Sequence, residues 1–251
     1  MRNYTAELEK RAQWIRSVLE QSKAEGIVFG NSGGKDSALV GILCKAACEN
    51  TLGVMMPCCS RQNYESDLQD ALQLAKQFAI ETQTIDLSEL KMQTERALRL
   101  PPTDRSRLAL TNVNPRLRMT VLYALAQSRN ALVAGTGNRS ERVMGYFTKW
   151  GDGACDFNPI ADLTASEVQA FLKHLGAPRH IWEKAPSAGL YDGQTDEADL
   201  GLTYRELDTY LTEGTGTDEL KACVLQTYKR TQHKREMPRL FASDELPQQN
   251  S

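Results

Sequence analysis

Apolar residues recur along the first half of the chain with two alternating periods. Leu8, Ala12, Ile15 and Leu19 return every three or four positions, which predicts an opening amphipathic helix. Ile27-Val28-Phe29, bounded by Gly26 and Gly30, is too short for a helix and reads as a buried strand. The alternation continues with a helix over 37–48 and a second strand over 51–56 stopped by Pro57. A helix over 63–78 follows, with Leu68, Leu72, Ala75 and Phe78 on one stripe, and then a third strand over 82–85. A helix over 88–100 ends at Pro101-Pro102, and 103–114 reads as a polar connection. A helix over 115–128 leads to a fourth strand, 131–134, that runs into Gly135-Thr136-Gly137. Strands separated by helices of this length imply crossovers, hence an α/β fold with a parallel, doubly wound sheet covered on both faces.

Beyond Glu141 the texture changes. Glycine and aspartate cluster in GYFTKWGDGACD, helical patterns resume at 166–175, 204–211 and 218–234, and an irregular stretch spans 186–202. The expected organisation is one unit over 1–251, with a core over about 20–160 and a helical and loop segment over about 161–240.

Composition narrows the chemistry. Among 251 residues, 30 Lys+Arg against 32 Asp+Glu give a formal charge of -2, so no global basic field suggests a nucleic-acid partner. No apolar run approaches the roughly 18–20 residues that span a bilayer, and the polar N-terminus lacks the apolar core of a signal peptide. The six cysteines, at 44, 48, 58, 59, 155 and 223, form no pair of CxxC motifs; they read as reduced thiols in a cytoplasmic protein. Cys44 and Cys48, one helical turn apart, and His174 and His180 read as structural.

The strongest signal is GNSGGKDSA, 30–38, directly after the first strand. Gly30, Gly33 and Gly34 allow backbone N–H groups to converge on an anion, and the start of the following helix adds its positive end. Asn31, Ser32 and Ser37 add polar side chains, and Lys35 a charge. The spacing is neither a Walker A loop, because Asp36 follows Lys35, nor a GxGxxG fingerprint. A plain glycine-rich turn capped by Asp36 and Ser37 is the alternative.

SGGKDS resembles the SGGxDS signature of the ATP pyrophosphatases, which implies that the loop binds the pyrophosphate of ATP and that Asp36 helps to hold Mg²⁺. GTGNRSE, GYFTKWGDGACDFNPIADL, KAPSAGLYDGQTDEADLGLTY and HKR, from 135 to 235, extend the resemblance to the NAD synthetase family along the whole chain. That resemblance implies Glu141 as the second Mg²⁺ carboxylate, and Thr136 and Ser187 as further ATP contacts. It implies Arg116, Lys149, Asp156, His233 and Lys234 as contacts of deamido-NAD. The plain alternatives are a first-turn helix carboxylate for Glu141, turn residues for Thr136 and Ser187, and, favoured on pattern alone, a helix-ending basic cluster for His233-Lys234. Arg116, Lys149 and Asp156 read as solvated charges without it.

The sequence departs from the family at Ala165, where a Lys that contacts ATP is often found. Lys35 or Lys184 would then supply the charge, or ATP would bind more weakly.

The implied reaction joins ammonia to deamido-NAD at the expense of ATP. Its carboxylate attacks the α-phosphorus, pyrophosphate leaves, and ammonia displaces AMP from the acyl adenylate. No side-chain nucleophile is needed; positioning and charge stabilisation suffice. No stretch is left for a glutaminase domain, which points to free ammonia or ammonia delivered by a separate protein, and the family implies a homodimer. A tRNA-thiolating enzyme would want catalytic cysteines and a basic surface. A regulatory nucleotide-binding module would have less need of both Asp36 and Glu141.

Overall fold

In a computed structural model of the chain, residues 2–59, 66–184, 197, 200–239 and 241 are described. Four strands, β1 (Gly26–Gly30), β2 (Thr51–Met55), β3 (Glu81–Thr84) and β4 (Ala131–Ala134), form one parallel sheet in the order β3-β2-β1-β4. Ile27 pairs with Thr51 on one side and with Leu132 on the other, so β1 lies at the centre. Phe157 extends the pattern with an isolated parallel bridge to Ala134.

Alternation along β1 divides the core. Ile27 and Phe29 point to one face, where α1 (Tyr4–Ser22), α2 (Lys35–Ala47) and α8 (Ala165–His174) supply Ile15, Leu39, Leu43, Phe171 and Leu172. Val28 points to the other face, packed with Leu52, Val54, Val133 and the apolar side of α6 (Val113–Ser128). The Phe29 ring fits because two neighbours lack side chains: a Cβ at Gly41 would stand 2.7 Å from its Cζ, and one at Gly53 3.0 Å. Truncating so fully buried an aromatic would cost about 3–5 kcal/mol. β3 is one edge strand; its side chains are largely exposed, and Glu81 pairs with Arg129 at 3.0 Å.

Between β2 and β3 lies α3 (Leu68–Gln77), and after β3 come α4 (Ser88–Leu98) and α5 (Asp104–Thr111). The polar connection expected over 103–114 is therefore corrected: it contains a helix, capped by the Thr103 hydroxyl accepting from Ser106 N–H. None of its residues is buried, so no apolar stripe marks it in the sequence. After β4 come α7 (Arg139–Met144), α8, the short α9 (Arg179–Trp182), α10 (Tyr204–Glu213) and α11 (Asp218–Arg230), then a 3₁₀ turn, Gln232–Lys234. A third cluster of Met144, Ala165, Tyr204, Leu207 and Val224 joins α7, α8, α10 and α11. Among the described residues, no helix is long and apolar enough to cross a membrane.

Candidate active site

The chain leaves β1 toward β2 on one side and returns to β4 on the other. At such a reversal the loops after the two adjacent strands part and leave a crevice beyond their carboxyl ends. Those loops are 30–34 and 135–138. A cavity of about 1180 Å³ opens between them, lined by Gly30, Lys35, Asp36 and Ser37 from the first and by Gly135, Thr136, Gly137 and Glu141 from the second.

Local bonds shape the first loop. The Ser37 hydroxyl donates to Gly34 C=O at 3.0 Å, and its oxygen accepts from Ser32 N–H at 3.3 Å. Ser32 Oγ lies 3.0 Å from Ser37 Oγ and accepts from Gly34 N–H. Gly33 has φ 76°, and a Cβ there would stand 2.1 Å from Asp67 C=O, so only glycine fits. Asn31 is buried, and its amide donates to Ala71 C=O at 3.3 Å. The Gly34 N-cap of α2 offers no side-chain cap, which leaves first-turn N–H groups for an anion.

The two carboxylates assigned to a metal are linked by a residue that the sequence reading passed over. Asn138, 1% exposed, donates from Nδ2 to Asp36 Oδ1 at 2.9 Å. Its Oδ1 accepts from Glu141 N–H at 3.0 Å, while its own N–H donates to Glu141 Oε2 at 2.9 Å. This is a capping box, and its Asn-x-x-Glu spacing was legible in GTGNRSE. Asp36 and Glu141 thus share one cavity wall with hard oxygen donors suited to a divalent ion such as Mg²⁺. Among the described residues, no group of three or more His, Cys, Asp or Glu is arranged to hold a metal. Substrate oxygens and water would complete the shell.

Lys234 also lines the cavity, and its ammonium donates to Gly145 and Phe147 C=O, each at 2.7 Å. Its neighbours in the assigned acceptor set form a connected patch outside the cavity lining. Arg116 Nη2 lies 3.4 Å from Lys149 C=O, and Lys149 Nζ donates to His233 C=O at 2.6 Å. Asp156 stands apart: its Oδ2 accepts from Val133 N–H at 2.7 Å and its Oδ1 from the Tyr123 hydroxyl at 3.3 Å. Ser187 lies outside the described residues.

Two charged residues that were not singled out from the sequence, Arg118 and Asp152, also line the cavity. Burial lowers the Arg118 pKa, and its Nε donates to Met56 C=O at 3.2 Å. Desolvation pushes the Asp152 carboxyl up, opposed by the Thr148 N–H bond and by Lys234 and Arg118. Burial likewise pulls Lys234 down, against the pull of Asp152.

Ala165 is buried in the third cluster beside Tyr204. Of the two cations named as substitutes, Lys35 lines the cavity with its ammonium 5.8 Å from the Tyr204 ring centre. Lys184 lines it too, but is bridged by Asp67 at 2.7 Å and Asp70 at 2.6 Å.

The sequence model of the NAD synthase family matches residues 7–238. An NH(3)-dependent NAD(+) synthetase from Carboxydothermus hydrogenoformans is 44% identical over 94% of this chain and 97% of its own length. Among solved structures, an NMN synthetase from Francisella tularensis superposes with a TM-score of 0.88 at 34% identity, covering 98% of this chain and 100% of its own. An NH3-dependent NAD synthetase from Campylobacter jejuni gives a TM-score of 0.79 at 29% identity, over 96% of this chain and 100% of its own.

Proposed function

The chain belongs to the NAD synthase family, and from that premise we propose that it makes NAD from deamido-NAD, ATP and ammonia. The observation that carries the reading is one cavity lined together by the loop after β1, by Asp36 and Glu141, which Asn138 links, and by Lys234. A carboxylate resists amination because its leaving group would be oxide. ATP solves this by converting it to an acyl adenylate, from which AMP departs when ammonia attacks.

In this reading residues 30–37 receive the polyphosphate. The loop N–H groups and Lys35 neutralise the leaving pyrophosphate, and Thr136 and Ser187 contact ATP. Asp36 and Glu141 would hold Mg²⁺, which supplies charge neutralisation at the phosphates. Arg116, Lys149, Asp156, His233 and Lys234 would hold deamido-NAD. A homodimer is part of the proposal, because exposed apolar side chains, Leu108 (64% exposed) and Trp150 (47%), lie near that patch in sequence. The six unbridged cysteines support a cytoplasmic location.

The likeness to the NMN synthetase favours a second reading, in which the acceptor is the mononucleotide acid, nicotinate mononucleotide. One experiment separates them: purified protein with ATP, Mg²⁺ and ammonium, given either acceptor, with products identified by chromatography. NAD with equimolar AMP and pyrophosphate supports the first reading. NMN formed with a much higher kcat/KM supports the second. ATP bound without turnover on either acceptor would overturn both.

A further inference from the structure

The phosphate loop leans on α3, and α3 is held in place by a cation from a distant part of the chain. The first turn of α3 meets the loop twice, through Asn31 and Ala71 and through the backbone of Asp67 against Gly33. That second contact has no slack, since a single added carbon at Gly33 would lie 2.1 Å from the Asp67 carbonyl oxygen. Where the Asp67 turn sits therefore decides the path of the loop.

Asp67 is buried, and its carboxylate accepts from Lys184 Nζ at 2.7 Å, while Asp70, one helical turn on, accepts from the same ammonium at 2.6 Å. The side chains are 12%, 15% and 22% exposed for Asp67, Asp70 and Lys184, too little for water to screen the pair fully. Lys184 follows α9, whose His180 Nε2 lies 3.3 Å from Asp70 Oδ1. Burial disfavours the Lys184 ammonium, but the bonds and charges of Asp67 and Asp70 outweigh it and raise its pKa.

We propose that Lys184 is a positioning residue for the nucleotide loop: by bridging Asp67 and Asp70 it fixes the α3 turn against Gly33 in the shape that receives the ATP polyphosphate. This rests on the reading of 30–37 as the ATP loop. Two of the three ammonium protons are spent on carboxylates, so Lys184 acts on ATP through the turn. Without it, two poorly solvated carboxylates would face each other, one of them, Asp67, on the cavity wall that receives the polyphosphate.

The test is ATP binding by calorimetry, without acceptor or ammonium, to the full chain and to Lys184→Met, Lys184→Arg, Asp67→Ala and the Lys184→Met/Asp67→Ala double variant. Lys184→Met should weaken ATP binding about tenfold or more, and Asp67→Ala should weaken it too. The double variant should be no weaker than Lys184→Met by more than about twofold, because both changes release one turn. Lys184→Arg should recover most of the affinity. In turnover the loss should fall on KM for ATP, with KM for the acceptor unmoved. If Lys184→Met does not fold, Asp67→Ala, which leaves Lys184 on Asp70, decides. Tighter or unchanged ATP binding in Asp67→Ala would mean that Lys184 meets the phosphates directly, and would overturn the proposal. So would losses that multiply in the double variant. Failure of the unsubstituted chain to bind ATP would overturn the loop reading along with it, whereas binding insensitive to both residues would overturn this proposal alone.

Discussion

Asn138 performs two tasks that substitution can separate. It caps α7 through its Oδ1, and it holds Asp36 through its Nδ2. Asn138→Ala removes both. The cap is worth about 1 kcal/mol, and a hydrogen bond to a carboxylate about 1.5–3 kcal/mol, taken at its lower end because Asp36 is half-buried at a wet cavity. The expected loss is about 2–3 kcal/mol, which for a chain of this size lowers Tm by about 5–10 °C. Turnover should fall about 10²-fold, since a carboxylate free to swing is misplaced on the ångström scale. Asn138→Ser keeps an N-cap oxygen but is too short to reach Asp36 as well. It should recover about 1 kcal/mol of stability and almost none of the activity. Urea unfolding gives the first quantity, and initial rates across a Mg²⁺ series give the second. Activity recovering in step with stability in Asn138→Ser, or turnover within twofold of the unsubstituted enzyme in Asn138→Ala, would refute the division of labour.

Three further outcomes follow from the geometry. Gly33→Ala should lose about 2–4 kcal/mol in urea unfolding and raise KM for ATP, because alanine at φ 76° is strained and its Cβ meets Asp67 C=O; normal affinity would show that the turn gives way freely. Burial tends to raise the Asp162 carboxyl, but the bond and charge of Arg11 and the charge of Arg2 win and hold it below 3.8. Its stabilisation is therefore present above the unfolded value and lost as pH falls through the folded one, so Asp162→Asn should show a smaller drop in urea midpoint between pH 6 and pH 3; an equal drop would discount the pair. Burial pushes the Cys58 thiol up, and it donates to Asn114 Oδ1 at 3.6 Å, so Cys58→Ser/Cys59→Ser should keep turnover within about threefold; its loss would reopen a thiol-based reaction.

What the sequence disclosed and what it hid divide along a physical line. β1, β2 and β4 were legible because each carries a short apolar run between turn residues, and 27–29 is buried on both faces. The glycine loop on the cavity wall was legible because its residues are consecutive, set by the turn that ends β1. α5 was hidden because it buries nothing, and its sign was only a Thr103 cap followed by Asp104. Strand order was hidden because periodicity reports that β4 exists and says nothing about its lying beside β1.

The residues that complete the site were hidden for a further reason: their partners lie far off in the chain. Asn138 meets Asp36 across 102 positions, and Lys184 meets Asp67 across 117. Read alone, Asn138 is a helix cap, and Lys184 a cation that could stand in for the one missing at Ala165. The fold turns the cap into a bracket between two carboxylates and the charge into a clamp behind a glycine. Ala165 makes the same point in reverse. Its lost side chain suggested a weakened nucleotide site, yet the position is packed under Tyr204, and Lys35, on the loop itself, stands beside that ring with its ammonium on the cavity wall. A charge missing from one segment is therefore no measure of the charge in the site, because among the described residues the crevice at β1 and β4 gathers cations from well-separated stretches of chain, at Lys35, Arg107, Arg118, Lys184 and Lys234.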